Sequence, residues 1–494
     1  MDFNSDKAKA NSRRRNLLLA VLTSFLLGAV TSAWLYFSVQ SRDLPEPGFW
    51  QDPARLQPAL AELDAADIDS FAGYLRHEQS LFAGLDQLVR EQGRTEPAAS
   101  RFHPAGPRNP VRFEPNWNRT TENPVRNPLG AVVLVHGLSD SPYSLRTLAE
   151  LFNQAGYYTL TLRLPGHGTA PGMLLATDLE QFRAAVRVGV RHAVEQVGAD
   201  KPLLLVGYSN GAPLVVDYSL TQLEGGTDPL PQKLVLLSPA LAVNPGAEWA
   251  FLRAALGRLP GLGKAGWISV QPELDPFKYA SFPAHAGQQL VTLNESIQQR
   301  LTQLPEAVRQ RFPAVLALVS VADATVPAGA VASHLLEQLP AAGSELVVFD
   351  INRRHEMQWL IKGEKLAWLD TLRNRDGLPF ALSILTNLSD ASSQVQEMRR
   401  DAGAPATGWQ VSEQDGRWPP QVYSLSHIAL PFRADDPFYG DDGSQLERLA
   451  NLSLRGEKNL FVLPPEQLMR LRYNPFSEYL QQKILVWVNR SVSQ

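Results

Sequence analysis

Residues Leu203 to Gly211 read Leu-Leu-Leu-Val-Gly-Tyr-Ser-Asn-Gly, an aliphatic run that stops on a G-x-S-x-G pentapeptide. An apolar run of strand length bounded by glycine reads as a buried strand, and Ala212 to Leu220 read as the start of a helix, so Ser209 falls on the turn between them. Gly207 and Gly211 carry no Cβ, which lets strand and helix close around a sharply turned serine. Such a turn lifts the hydroxyl above the sheet edge and aims the first helical N–H groups at whatever the oxygen attacks.

A serine nucleophile needs a place for the developing oxyanion. Upstream, the apolar run Ala131 to Val135 is followed by His136-Gly137-Leu138-Ser139-Asp140-Ser141-Pro142. Backbone N–H donors fixed in place stabilise the negative oxygen of a tetrahedral intermediate without reorganising. The amides of Leu138, just past the bare Gly137, and of Asn210, just past the serine, are the natural pair. After the run Tyr158 to Leu162 comes Arg163-Leu164-Pro165-Gly166-His167-Gly168-Thr169, a loop punctuated by glycine and proline.

In this order, an H-G turn, a G-H-G loop and a G-x-S-x-G elbow resemble the α/β-hydrolase fold, and within it the monoacylglycerol-lipase and carboxylesterase-like serine hydrolases. The resemblance is specific from about Gly130 to Ala240. It implies an acyl-transfer enzyme using Ser, His and an acid, with no metal or organic cofactor.

In that fold the triad follows the chain order Ser, acid, His. The strand-like Ala314 to Val321 runs into Ala322-Asp323-Ala324, and an Asp there can accept the imidazole N–H and fix its tautomer. Asp350, at the end of Glu345 to Phe349, is the alternative acid. His77, His103, His136, His167 and His192 precede Ser209, His285 precedes the acid, and His334 lies on an amphipathic stretch, Ala328 to Leu339. Two histidines remain. His355 follows a strand directly, but Arg353 and Arg354 beside it disfavour an imidazolium. His427, in Tyr423 to Phe432, has small hydroxyl and apolar neighbours, which suit a dry site, and it is the preferred base.

Strands at Ala131–Val135, Tyr158–Leu162, Leu203–Val206, Lys233–Leu237, Ala314–Val321, Glu345–Phe349 and Phe380–Leu385 alternate with helices at Leu145–Ala155, Leu179–Gln196 and Ala212–Leu223. A helical stretch is also expected over Gln358 to Leu372. The pattern predicts a mostly parallel sheet covered by helices on both faces. Between 241 and 312 the alternation stops, and Trp249 to Leu262 reads as an amphipathic helix of a cap insertion. Trp249, Trp267, Phe277, Tyr279 and Phe282 are expected to form an apolar wall on the acyl side. Asp435, Asp436, Asp441 and Asp442 match no calcium-loop spacing and read as a solvated turn.

The N-terminus carries a separate signal. Lys7, Lys9, Arg13, Arg14 and Arg15 precede Leu17 to Val39, which holds no charge. About twenty apolar residues span a bilayer as a helix, and a basic flank stays in the cytoplasm. The expected organisation is a basic cytoplasmic N-terminus (1–15), a transmembrane anchor (16–39), a linker and juxtamembrane helical segment (40–128) and a catalytic domain (129–494). In a bacterium this is a single-pass inner-membrane protein whose catalytic domain faces the periplasm. Within the linker, Asp43 to Pro58 reads as proline-rich, Ala59 to Glu91 has helical periodicity, and Arg94 to Pro128 reads as an irregular wrap.

A net charge of −4 argues against a nucleic-acid partner, and the absence of cysteine removes disulfides and thiolate chemistry. The expected activity is hydrolysis of a small-molecule or lipid carboxylic ester. Acyl transfer and serine peptidase chemistry share the same triad, and a non-catalytic binding protein is the contrasting reading.

Overall fold

The computed structural model describes residues 15–25, 28, 31–32, 36, 44–243, 250–257, 263–340, 343–355, 363–441 and 470–490. A ten-stranded sheet runs in the order β1-β3-β2-β4-β5-β8-β9-β10-β11-β12. Its strands are β1 (Thr121–Asn123), β2 (Ala131–Val135), β3 (Tyr158–Leu162), β4 (Leu203–Tyr208), β5 (Lys233–Leu237), β8 (Ala314–Ser320), β9 (Glu345–Phe349), β10 (Ala381–Asn387), β11 (Gln394–Arg400) and β12 (Gln410–Arg417). A separate short hairpin joins β6 (Trp267–Ser269) and β7 (Phe282–Pro283). From β3 to β10 every neighbour is parallel, and β1, β11 and β12 are antiparallel additions at the two edges.

The central strands are predominantly aliphatic because both faces of the sheet are covered. Val133, Leu205, Leu236, Ala317 and Val348 point into one core with the helices Leu179–Val197, Gly211–Leu223 and Ala284–Gln303. Val132, Leu204, Val235, Leu316 and Val347 face the other, formed with Leu148 and Phe152 of Arg146–Gln154 and with Ile484 and Trp487 of the C-terminal helix Ser477–Asn489. Asp178 caps Leu179–Val197, its carboxylate accepting from Gln181 N while the Gln181 side chain returns to Asp178 N.

Several elements differ from expectation. The stretch Ala59 to Glu91 is two helices, Pro53–Leu60 and Phe71–Gln92. Pro53 opens the first under an Asp52 cap, so a proline-rich stretch read as linker begins a helix. A turn at Asp64–Asp67 interrupts the periodicity, and Ser70 Oγ then caps the second helix on Gly73 N. The helix expected over Ala328–Leu339 covers only Ala330–His334, because Leu335 leaves helical geometry (φ −137°, ψ −69°). The helix expected from Gln358 occurs as Ala367–Arg373, with 358–362 outside the described residues. The amphipathic stretch of the 241–312 region is helical at Ala250–Gly257, and residues 249 and 258–262 lie outside the description.

Residues 44–128 pack on the sheet domain. Trp50, Leu56, Leu60, Phe82, Leu85, Val89 and Phe102 share a core cluster with Ala170 and Met173 of the segment after β3. Of the expected anchor (16–39), positions 16–25 are helical and most of 26–39 lies outside the described residues. Among the described residues no helix is long and apolar enough to cross a membrane.

Candidate active site

Ser209 follows β4 directly and has φ +52°, a left-handed backbone that a serine adopts only at a cost of about 1–3 kcal/mol. Backbone bonds hold it there: Ser209 N donates to Leu237 O (2.9 Å), and Ala240 N and Ala212 N both donate to Ser209 O (3.1 Å). A Cβ on Gly211 would lie 2.0 Å from Val135 O, so the helix can start this close to β2 only with glycine.

His427 begins a short 3-10 turn, His427–Ala429, in a loop suspended above the strand ends. Ser320 Oγ donates to Leu425 O (2.8 Å), Tyr208 OH to His427 O (3.4 Å) and Asn352 Nδ2 to Val422 O (2.9 Å). His427 Nε2 lies 2.9 Å from Ser209 Oγ, and its Nδ1 lies 2.7 Å from Asp323 Oδ2. Asp323 Oδ1 accepts from Thr325 N (2.8 Å) and Val326 N (3.0 Å), which fixes the carboxylate plane. The carboxylate requires a proton on Nδ1, so Nε2 is the acceptor facing the serine hydroxyl. Both the imidazole and the Asp323 side chain are buried.

The alternative residues are placed otherwise. Asp350 is buried and receives Arg353 Nε (2.7 Å), Arg353 Nη2 (2.8 Å) and Thr386 Oγ1 (2.8 Å), so its carboxylate is taken up in an ion pair. His355 is exposed, and its backbone N–H donates to Asp390 O.

Asn210 follows the serine directly, and a Cβ on Gly137, the residue before Leu138, would lie 3.0 Å from Ser209 Cβ; among the described residues neither the Leu138 nor the Asn210 amide donates to a backbone acceptor. The turn bearing Leu138 is tightly held. Leu164 N donates to His136 Nε2 (3.1 Å), which puts the ring proton on Nδ1, facing Gly137 O at 2.9 Å. His167 Nε2 lies 2.7 Å from Leu138 O, and Tyr279 N donates to Ser139 O (2.7 Å). Burial first, and then the neighbouring His167, keep His136 well below its ordinary pKa. Burial pushes His167 down to about 4. His136 is neutral scaffolding, and His167, whose Nδ1 also lies 2.9 Å from Pro165 O, braces the turn through both ring nitrogens; chain order sets both aside as bases, and the G-H-G loop is the signal for His167.

Lys278 and Asp140 were not anticipated. Their side chains form a buried ion pair beside the turn, and the ammonium stands over the rings of Phe432 (5.2 Å), Tyr208 (5.6 Å) and Tyr439 (5.8 Å). Burial raises the Asp140 carboxyl against the pull of Lys278. The expected apolar wall is mostly packed away. Trp267, Phe277 and Tyr279 are buried, Phe277 stacks on Tyr143 (3.8 Å between centroids), and Trp249 lies outside the described residues. The aspartate patch is not simply a solvated turn. Asp436 is buried and accepts from Tyr143 OH (2.9 Å), Phe438 N (2.9 Å), Tyr439 N (3.0 Å) and Arg146 Nη2 (3.3 Å). Asp435 pairs with Arg433, and Asp442 lies outside the described residues. Among the described residues no group of three or more His, Cys, Asp or Glu is placed to hold a metal ion.

Residues 126–358 match the family model described as serine aminopeptidase, S33. The match spans just under half of the chain, and the sheet order and elbow described above are similar to those of serine hydrolases of the α/β-hydrolase fold. The chain resembles the monoacylglycerol lipases and esterases. It is 42% identical over 62 residues to a thermostable monoacylglycerol lipase of Bacillus sp. (strain H-257), spanning 13% of this chain and 24% of that protein. It is 28% identical over 197 residues to a monoacylglycerol lipase of Mycolicibacterium smegmatis, spanning 37% of this chain and 68% of the relative. Among solved structures, a Paleococcus ferrophilus monoacylglycerol lipase is 25% identical, with coverage of 47% of this chain and 88% of that one and a TM-score of 0.36. The family match ends at residue 358, so it includes His355 and leaves out His427.

Proposed function

We propose that this protein is a membrane-anchored carboxylic ester hydrolase working through an acyl-enzyme on Ser209. The observation that carries the reading is the continuous relay from Ser209 Oγ to His427 Nε2 (2.9 Å) and from His427 Nδ1 to Asp323 (2.7 Å). In this mechanism Ser209 Oγ attacks the ester carbonyl while His427 Nε2 takes its proton. Asp323 stabilises the resulting imidazolium, and the Leu138 and Asn210 amides receive the oxyanion. Collapse expels the alcohol, which takes the proton from His427. Water, deprotonated by the same imidazole, then frees the acid.

A lipid or other moderately apolar ester is the substrate class favoured by the similarity to monoacylglycerol lipases. A peptidase acting on a free N-terminus needs an unpaired carboxylate to meet the ammonium, and Asp140, beside the turn, is already neutralised by Lys278. Acyl transfer to an alcohol shares every step up to the acceptor. The anchor rests on the uncharged run Leu17–Val39 behind its basic flank, and places the catalytic domain in the periplasm of a bacterial cell.

The test is Ser209→Ala in the full-length protein. Hydrolysis of short acyl esters and labelling by a fluorophosphonate are both expected to vanish, with a rate loss of about 10⁴- to 10⁶-fold. Labelling that persists on another residue would disprove the assignment.

A further inference from the structure

The arginine of the Arg163–Gly168 loop is fully buried, and its charge is met from outside the region that matches the family model. Glu62 holds it bidentately, Oε1 to Nη1 at 2.8 Å and Oε2 to Nη2 at 3.0 Å, and Glu62 Oε1 also accepts from Gly166 N (2.7 Å). Glu78 Oε2 receives Arg163 Nε (3.3 Å), and Tyr74 OH donates to Arg163 O (2.7 Å). Glu62, Tyr74 and Glu78 all belong to the segment that precedes the matched residues 126–358. The side chains of Glu62 and Glu78 are 3% and 2% exposed, so these are paired charges removed from water. Removing one partner of such a group leaves a buried uncompensated charge, and the loop around it must rearrange.

That loop is what grips the oxyanion turn. Arg163 Nη1 donates to His167 O (2.9 Å), fixing the residue whose ring lies 2.7 Å from Leu138 O. The next residue, Leu164, donates its N–H to His136, and His136 in turn donates to Gly137 O, the carbonyl of the very peptide that carries the Leu138 N–H. A continuous hydrogen-bonded path therefore runs from the Glu62 carboxylate to the Leu138 donor.

We infer that Glu62 and Tyr74 are positioning residues for catalysis: the segment that precedes the matched region holds the Arg163–His167 loop and, through it, the oxyanion-binding amide of Leu138. The inference rests on the Ser209 reading above. It makes residues 44–128 a working part of the catalytic apparatus, beyond any role in spacing the domain from a membrane. A displaced donor weakens the transition state and leaves ground-state binding alone, so kcat is the parameter that changes.

The experiment compares full-length wild type, Glu62→Gln and Tyr74→Phe on one p-nitrophenyl ester, with phenylboronic acid as a probe whose serine adduct places an anionic oxygen at the oxyanion site. Expected for Glu62→Gln is a fall in kcat of about ten- to a hundredfold, the size of effect a misplacement of up to an ångström produces. KM and the apparent pKa of the pH–rate profile stay unchanged, and boronate affinity weakens by the same factor as kcat. Tyr74→Phe removes one neutral bond, leaves both carboxylates in place and shows a smaller loss with the same signature; it decides the matter if Glu62→Gln does not fold. Activity and boronate affinity within twofold of wild type in a folded variant would overturn the inference. So would a kcat loss without a matching loss of boronate affinity. A wild type that takes up no fluorophosphonate would instead sink the Ser209 reading.

Discussion

Adding one methyl group at Gly137 tests the geometry of the site directly. A Cβ there would lie 2.8 Å from Asp140 Oδ2, 3.0 Å from Ser209 Cβ and 3.5 Å from Ser209 Oγ. Relaxed contacts to carbon are about 3.5–4.0 Å, so the first two are short by roughly half an ångström or more. Neither neighbour yields cheaply. Asp140 is fixed in its buried pair with Lys278, and Ser209 Cβ stands on a left-handed backbone pinned to Leu237, Ala212 and Ala240. The turn itself must back away, carrying the Leu138 N–H with it. Losing one oxyanion donor outright costs about 10²- to 10³-fold in kcat. Gly137→Ala, which displaces the donor without deleting it, is expected to lower kcat about ten- to a hundredfold with KM little changed, and overpacking should cost about 1–3 kcal/mol of stability. Steady-state kinetics on a p-nitrophenyl ester, paired with urea unfolding, measure both. Gly263→Ala is the control, since a Cβ there meets nothing within 4 Å. A Gly137→Ala enzyme with wild-type kcat and stability would show that the turn does not lie over the serine as described.

The histidines give a second test: His427→Ala should match Ser209→Ala in rate, with the double variant falling no further, while the exposed His355→Ala keeps most activity; a dead His355→Ala beside an active His427→Ala would reverse the assignment. Stability should fall on acidification. His136 is neutral when folded, held well below its ordinary 6.5 by burial with its Nε2 accepting from Leu164 N, so its contribution is complete above pH 6.5 and is lost progressively below it. Urea unfolding at pH 7 and pH 4 should show wild type losing more stability than His136→Gln, and equal losses would contradict a neutral buried ring. A reporter fused after Pro45 should be active only in the periplasm, and extraction should need detergent; a soluble form starting near Trp34 would instead mean a cleaved signal.

What could be read from the chain alone follows the physics of burial. Strands β2, β4, β5 and β8 are covered on both faces, so each carries a run of four or more aliphatic residues, Ala131–Val135, Leu203–Val206, Leu234–Leu237 and Ala314–Val319. The elbow is legible because only glycine fits where Gly211 meets Val135 O. The edge strand β12, Gln-Val-Ser-Glu-Gln-Asp-Gly-Arg, is almost wholly exposed, and no hydrophobic pattern marks it. The Arg163 cluster was hidden for another reason. An arginine in a loop looks solvated in sequence, and its main partner lies 101 residues away. Burial of charge is decided by tertiary packing, which no local window contains. The wall residues are hidden in the same way: Phe277 and Tyr279 are apolar enough for a substrate surface, yet Phe277 stacks on Tyr143 and the buried Tyr279 donates its hydroxyl to Gly166 O.

The position of His427 shows why chain order constrains a triad more than spacing does. Asp323 and His427 are 104 residues apart, and between them the sheet gains β9 and β10 in parallel and then turns back through β11 and β12. Those strands extend the sheet sideways beyond β8, on the side away from β4. The chain then returns along the strand ends, where Ser320, Tyr208 and Asn352, each on or just after a central strand, hold the loop Val422–His427 by its carbonyls. The base is thus fixed by the strands that fix the acid and the nucleophile. A histidine directly after β9 would follow the simpler plan, but Asp350 at that point is committed to Arg353. The imidazole that reaches the serine is the one whose backbone is tied to β4 and β8, whatever length of chain precedes it.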